Sequence, residues 1–185
     1  MDSEREQTFS AEAIARAIEG DRAAVSAIAK AFLPRVYGLC LRLARRRDLA
    51  EEATQETFVR ALRALPRLRD PERLASFVLT IAATTVREMA RRAPREAPLD
   101  HDPPAPAPGD DGAAARRKAV ERAVSTLDVD ERQLFLLHTV EGVKLEALAR
   151  ESRSSVPALK SRLHRIRSKV RSRALEDLER EGALP

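Results

Sequence analysis

Apolar residues along this chain recur at steps of three and four and nowhere alternate over a strand-length run, which predicts helices and no sheet. Ser10 can cap a helix running through Glu19. A second helix is expected from near Asp21, with Val25, Ile28, Phe32 and Val36 on one apolar stripe. Pro34 should kink or divide it. The segment resumes through Tyr37, Leu39, Cys40 and Leu43 to Arg45-Arg46-Arg47, cations suited to a helix C-terminus. Asp48 followed by Glu51 resembles a capping box. The helix it opens should reach about Leu65, with Leu49, Ala53, Phe58, Ala61, Leu62 and Leu65 available for burial. Asp70-Pro71 then offers an N-cap and a first-turn proline for a helix over about 71–92.

The pattern lapses after residue 92. Six of the eleven prolines fall between Pro94 and Pro108, in a stretch without apolar periodicity that holds five acidic residues and one basic one between 93 and 115. Such a segment is a semi-extended tether. Periodicity returns with Ala113 to Val124, and Asp128 with Glu131 opens a helix in which Leu134, Leu137 and His138 surround Phe135, closed by Gly142. A short helix over about 144–151 and a polar turn, 152–155, precede a long helix from Val156, capped by Ser155 with Pro157 tolerated in its first turn. The predicted fold is all-α: two small helical domains, 8–92 and 116–182, joined by a flexible Pro-rich linker over 93–115.

Composition narrows the function. No apolar run approaches the roughly 18 residues of a membrane span, and the first ten residues mix charges with no apolar core, so the expectation is a cytoplasmic chain without membrane insertion. The lone Cys40 cannot form an internal disulfide and is expected as a small core hydrophobe. The histidines at 101, 138 and 164 have no zinc-ligand spacing, and the chain has no phosphate-binding glycine loop and no nucleophile paired with a histidine. Neither an enzyme nor a cofactor is expected.

What the charges do show is local. The overall balance is +5, yet between Arg150 and Arg173 nine Lys or Arg face one acidic residue. Two helices, a polar turn and a cationic third helix are the outline of a helix-turn-helix DNA reader. Lys160, His164 and Arg167 share one face of that helix, while Leu159, Leu163, Ile166 and Val170 mark the face toward the body. Its first turns hold Ser155, Ala158, Lys160, Ser161 and Arg162, small or donor-bearing groups that suit base edges. Arg165 and Arg167 are better placed for phosphates.

These residues also carry a family resemblance. LDVDERQLFLLHTVEGVKLEALA and SVPALKSRLHRIR, within 127–167, resemble domain four of the extracytoplasmic-function (ECF) group of bacterial RNA polymerase sigma factors, and DLAEEATQETFVRALRAL with the helix after Asp70 resembles domain two. The resemblance implies that the chain binds core RNA polymerase and directs initiation at promoters. It implies that Asp48, Glu51, Glu52, Gln55 and Glu56 dock on the clamp helices of the polymerase largest subunit, an acidic face for a basic partner. It places Phe77, Thr84, Arg87, Arg91 and Arg92 at the -10 element. It places Ser155, Pro157, Ala158, Lys160, Ser161, Arg162, His164 and Arg165 at the -35 element. An anti-sigma factor is an implied partner. A sigma-like interaction protein that binds polymerase or a regulator without melting promoters is the alternative.

The chain departs from the family pattern at several points. Phe77-Val78 stands for Trp-Leu, Thr84 for Asn and Glu88 for Asp, which removes an indole donor and a bidentate amide from the strand-opening helix. Arg153-Ser154 stands where Gly and Ile are common. A left-handed residue there is expected to cost an arginine about 1 kcal/mol. Lys144 occupies a position usually held by a capping Ser or Thr. The acidic tether is also a candidate nucleic-acid mimic in the polymerase RNA exit path.

Overall fold

The computed structural model describes residues 9–92 and 111–182. These residues fall into two compact units, one N-terminal and one C-terminal to the Pro-rich segment in sequence. The described residues are helical and contain no strand. The linker from 93 to 110 lies outside them, and with it most of the acidic stretch.

The first unit contains α1 (Ala11–Ile18), α2 (Arg22–Ala44), α3 (Arg47–Ala64) and α4 (Leu74–Arg92). Ser10 caps α1, its hydroxyl accepting from the Ala13 amide at 3.1 Å. The Asp21 carboxylate caps α2 by accepting from Ala23 and Ala24. The Arg16 guanidinium that pairs with Asp21, together with those two amides, lowers its carboxyl below the usual range. Of the kink or division expected at Pro34, the division does not occur: the helix runs unbroken through it. The proline is exposed, so the carbonyl that its missing N–H leaves free lies where water can reach it.

α2 also corrects the reading of the apolar runs. By length and composition it could cross a membrane, with mean hydropathy 1.4. Lys30 and Arg35 break the visible run, but the alanines and large apolar residues around them keep the average high. In the fold it is a core helix. Ile28, Phe32, Val36, Leu39, Cys40 and Leu43 are buried, and α3 and α4 pack along it. Cys40 is fully buried, and burial pushes its thiol pKa up.

The α3 boundary differs from the sequence reading. Its N-cap is Arg46, without a side-chain cap bond, and Asp48 sits inside the first turn. There the carboxylate still faces the positive end of the helix and pairs with Arg46 at 2.6 Å. Asp70 and Pro71 start a 3-10 turn, Pro71–Arg73, that leads into α4, with the Asp70 carboxylate accepting from the Glu72 amide.

The second unit contains α5 (Asp111–Ser125), α6 (Val129–Phe135), α7 (Leu145–Glu151) and α8 (Val156–Arg180). α5 starts at Asp111, two residues before the Ala113 at which periodicity was expected to return, so 111–115 are helical. Ala113-Ala114-Ala115 explains the extension, since alanine has the highest helix propensity. Asp128 caps α6 through the Glu131 amide at 2.7 Å. α6 continues into a π-helical turn, Leu136–Val140. The wider turn changes the helical register, and Leu134 through Leu137 are all buried. His138 then donates from Nδ1 to the Val143 carbonyl at 2.9 Å, past the left-handed Gly142.

Arg132 is the buried charge of this unit. Its Nη2 donates to the carbonyls of Ser125 and Leu127 at 3.0 and 2.8 Å, closing the chain between α5 and α6. Arg132→Met should therefore lower stability by about 2 kcal/mol, because the arginine stem is kept while two carbonyls lose a charged donor. Thermal unfolding of the full chain measures this. At the turn before α8, Arg153 adopts φ 50°. Arg153→Gly should stabilise the same unit by the ~1 kcal/mol that a left-handed side chain costs, and so raise its thermal midpoint.

Candidate nucleic-acid and partner interfaces

The three candidate surfaces are the outward stripes of α3, α4 and α8. On α3 the inward stripe is Leu49, Ala50, Ala53, Thr54, Thr57 and Ala61. Two threonines are tolerated in it because their hydroxyls donate to the Ala50 and Ala53 carbonyls, at 2.7 and 2.6 Å. That leaves Asp48, Glu51, Glu52 and Gln55 exposed together and Glu56 half-buried, so all five expected docking residues share one side of α3. Several are already paired. Arg46 holds Asp48 and lowers its carboxyl pKa, Arg47 holds Glu51 at 3.0 Å, and Arg60 holds Glu56 at 2.7 Å.

Leu62, expected in the core, is 37% exposed, and Val59 is 41% exposed. Counted from Gln55, these positions follow at steps of four and three, so the acidic stripe passes into an apolar one on the same helix. The spacing was visible in the sequence, but hydrophobicity alone assigned Leu62 to burial and overlooked Val59. A shallow apolar dimple beside Leu62, lined also by Ile28, Phe58 and Leu74, explains the ambiguity: Leu62 stands at the rim of the core.

On α4, Phe77, Thr80, Thr84, Arg87 and Arg91 follow one another at helical steps. Phe77 and Thr84 are half-buried, and Arg87, Arg91 and Arg92 are exposed at the C-terminal end. The Thr84 hydroxyl donates to the Thr80 carbonyl at 3.0 Å, so it faces outward as an acceptor only. Glu88 lies among these arginines and is held by Arg60 of α3 at 2.6 Å. That ion pair lowers the Glu88 carboxyl pKa, with smaller contributions from Arg92 and Arg91.

On α8, Leu159, Leu163, Ile166 and Val170 are buried as the periodicity predicts. Of the eight residues expected at the -35 element, Ser155, Pro157, Ala158, Lys160, Ser161, His164 and Arg165 are exposed and Arg162 is half-buried. Ser155 is the N-cap, its hydroxyl accepting from the Ala158 amide at 3.3 Å. The turn before it closes by a Schellman-type bond, the Ser154 amide donating to the Ala149 carbonyl at 3.0 Å with Arg153 left-handed. α7 begins at Lys144 without a side-chain cap, as its sequence predicts. Lys169, exposed on α8, is paired with Glu131 at 2.5 Å, so this cation of the outward set is already partnered.

Comparison with known proteins gives these surfaces a context. Residues 28–96 match the family model of sigma-70 region 2, and residues 117–170 that of sigma-70 region 4. The chain is 33% identical over 157 residues to the RNA polymerase sigma factor CarQ of Myxococcus xanthus, covering 81% of this chain and 88% of that protein. It is 29% identical over 182 residues to the ECF RNA polymerase sigma factor ShbA of Streptomyces griseus, covering 86% and 92%. Among solved structures, it resembles CnrH in complex with the cytosolic domain of CnrY, with a TM-score of 0.63 at 20% identity over 92% of this chain and 96% of that one. It also resembles the sigma factor RpoE bound to the anti-sigma factor NepR from Bartonella quintana, with a TM-score of 0.57 at 21% identity over 78% and 91%. At those identities the structural likeness speaks for the fold alone.

The pairing of Glu88 makes a pH prediction. Because its folded pKa is depressed, the ion pair stabilises the fold above the ordinary glutamate value of 4.5, and that stabilisation disappears as pH falls through the lower folded value. NMR titration of the Glu88 carboxyl should give a midpoint below 4.5, moving up in Arg60→Met.

Proposed function

The chain belongs to the ECF group of bacterial RNA polymerase sigma factors, and from that membership we propose how its surfaces divide the work of the holoenzyme. As a sigma factor it binds core RNA polymerase and directs sequence-specific initiation. In our reading, residues 9–92 serve docking and the -10 element, residues 111–182 serve the -35 element, and the intervening Pro-rich segment is a tether. The observation that carries this is that every expected contact residue lies on the exposed or half-exposed side of a helix whose other side is core.

Docking is assigned to Asp48, Glu51, Glu52, Gln55 and Glu56, extended by Val59 and Leu62. Charge complementarity would steer the encounter, and the apolar pair would shed its water on binding. On α4, Phe77 offers a ring face for stacking, Thr84 an acceptor, and Arg87, Arg91 and Arg92 cations for the strand backbone. On α8, Ser155, Pro157, Ala158, Lys160, Ser161, Arg162 and His164 line the groove-facing turns, with Arg165 and Arg167 toward phosphates.

Each body alone neutralises few phosphates, so free-DNA binding is weak and tethering both on polymerase raises the effective affinity. The family consists of initiation subunits, and we assign this chain no catalytic residue and no cofactor. Its work places it in the cytoplasm with polymerase. Two structural neighbours were captured with partners, CnrY for CnrH and NepR for RpoE. By the same logic an anti-sigma protein that covers the docking surfaces is the expected regulator here.

Mapping the promoters bound and melted by purified chain plus core polymerase tests the reading. Unpaired thymines near the start site, seen by permanganate, separate an initiation factor from a sigma-like binder that does not open DNA. Neutralising Lys160, Arg162 and Arg165 together should lower promoter occupancy by the holoenzyme and reduce its salt slope by about 1 for each phosphate left without its cation. Unchanged occupancy and promoter choice would remove α8 from the -35 assignment.

A further inference from the structure

Arg60 belongs to none of the surfaces above, yet it touches two of them. It sits on α3 with its side chain 31% exposed, and its planar fork is divided. Nε donates to Glu56 on the same helix at 2.7 Å, and Nη1 donates to Glu88 on α4 at 2.6 Å. The first is the favourable order of an i,i+4 pair, glutamate before arginine. The second ties together two helices through residues 28 positions apart in sequence.

Glu88 is the acidic residue of the stretch that ends α4, one step from Arg87 and three and four from Arg91 and Arg92. A bare carboxylate there would face any phosphate that those arginines attract, and at such distances a like charge is costly. We propose that Arg60 is a positioning residue for promoter opening: it cancels Glu88 and fixes the cationic end of α4 against the docking helix. The inference rests on the assignment of α4 to the -10 element. Because the same guanidinium also holds Glu56, a basic partner that takes up Glu56 leaves Arg60 to Glu88.

The test uses holoenzyme assembled from full-length chain and core polymerase. Arg60→Met keeps the aliphatic stem and removes the fork. It should lower permanganate reactivity at a mapped promoter about tenfold while core affinity stays within about threefold, and Arg60→Met with Glu88→Gln should recover most of the opening. A merely structural arginine gives a different result: opening and core affinity fall together, and Glu88→Gln does not rescue. Either that result or wild-type opening by Arg60→Met overturns the inference. The underlying assignment is tested separately by neutralising Arg87, Arg91 and Arg92 in the wild-type background. If that leaves opening intact, the assignment of α4 fails and not merely the role of Arg60.

Discussion

A helix in a body this small has to be two-sided. Among the described residues each unit is built from four α-helices, so each must give one stripe to a thin core and keep the other in water. The surfaces that matter are therefore the backs of core helices. α3 turns Ala50, Ala53 and Ala61 inward and its carboxylates outward, and α8 turns Leu163 and Ile166 inward and Lys160 and Arg165 outward. Any change that rotates a core stripe also rotates the proposed binding face, so packing and the proposed recognition are one constraint.

The charges on those faces are less free than a count suggests. Asp48, Glu51 and Glu56 each already meet an arginine, and Lys169 meets Glu131. Exposed pairs of this kind add little to stability. Their effect is on the cost of exchange: a partner that binds these groups replaces one ion pair by another instead of stripping a bare charge of water. The proposed docking residues are in that sense held near the positions where a basic partner would find them.

Much of this architecture was legible because local rules and tertiary structure agree. Ser10, Asp21, Asp70, Asp128 and Ser155 all cap the segments they announce, and the inward stripe of α8 is the one its spacing marks. The left-handed backbone at Arg153 was also legible, from a residue standing where glycine is common. Other features were set by contacts that no window of sequence contains. Pro34 stays within α2 because it falls on the solvent side. Leu62 is exposed because alanines and threonines fill the α3 interface. The π-helical turn follows from the need to bury four consecutive residues, and the bridge from Arg60 to Glu88 joins segments too far apart for spacing to reveal. Of the candidate sites, the faces and the i,i+4 pairs along α3 were readable from spacing, and the bridge between α3 and α4 was not.

Cys40 has a consequence outside this geometry. Its sulfur is sealed among α2, α3 and α4, and burial keeps the thiol protonated. An oxidant reacts with an accessible thiolate and finds neither here. While the fold holds, the one thiol of the chain is thus closed to oxidants. Any response of this chain to an oxidant has to begin at some group other than that thiol.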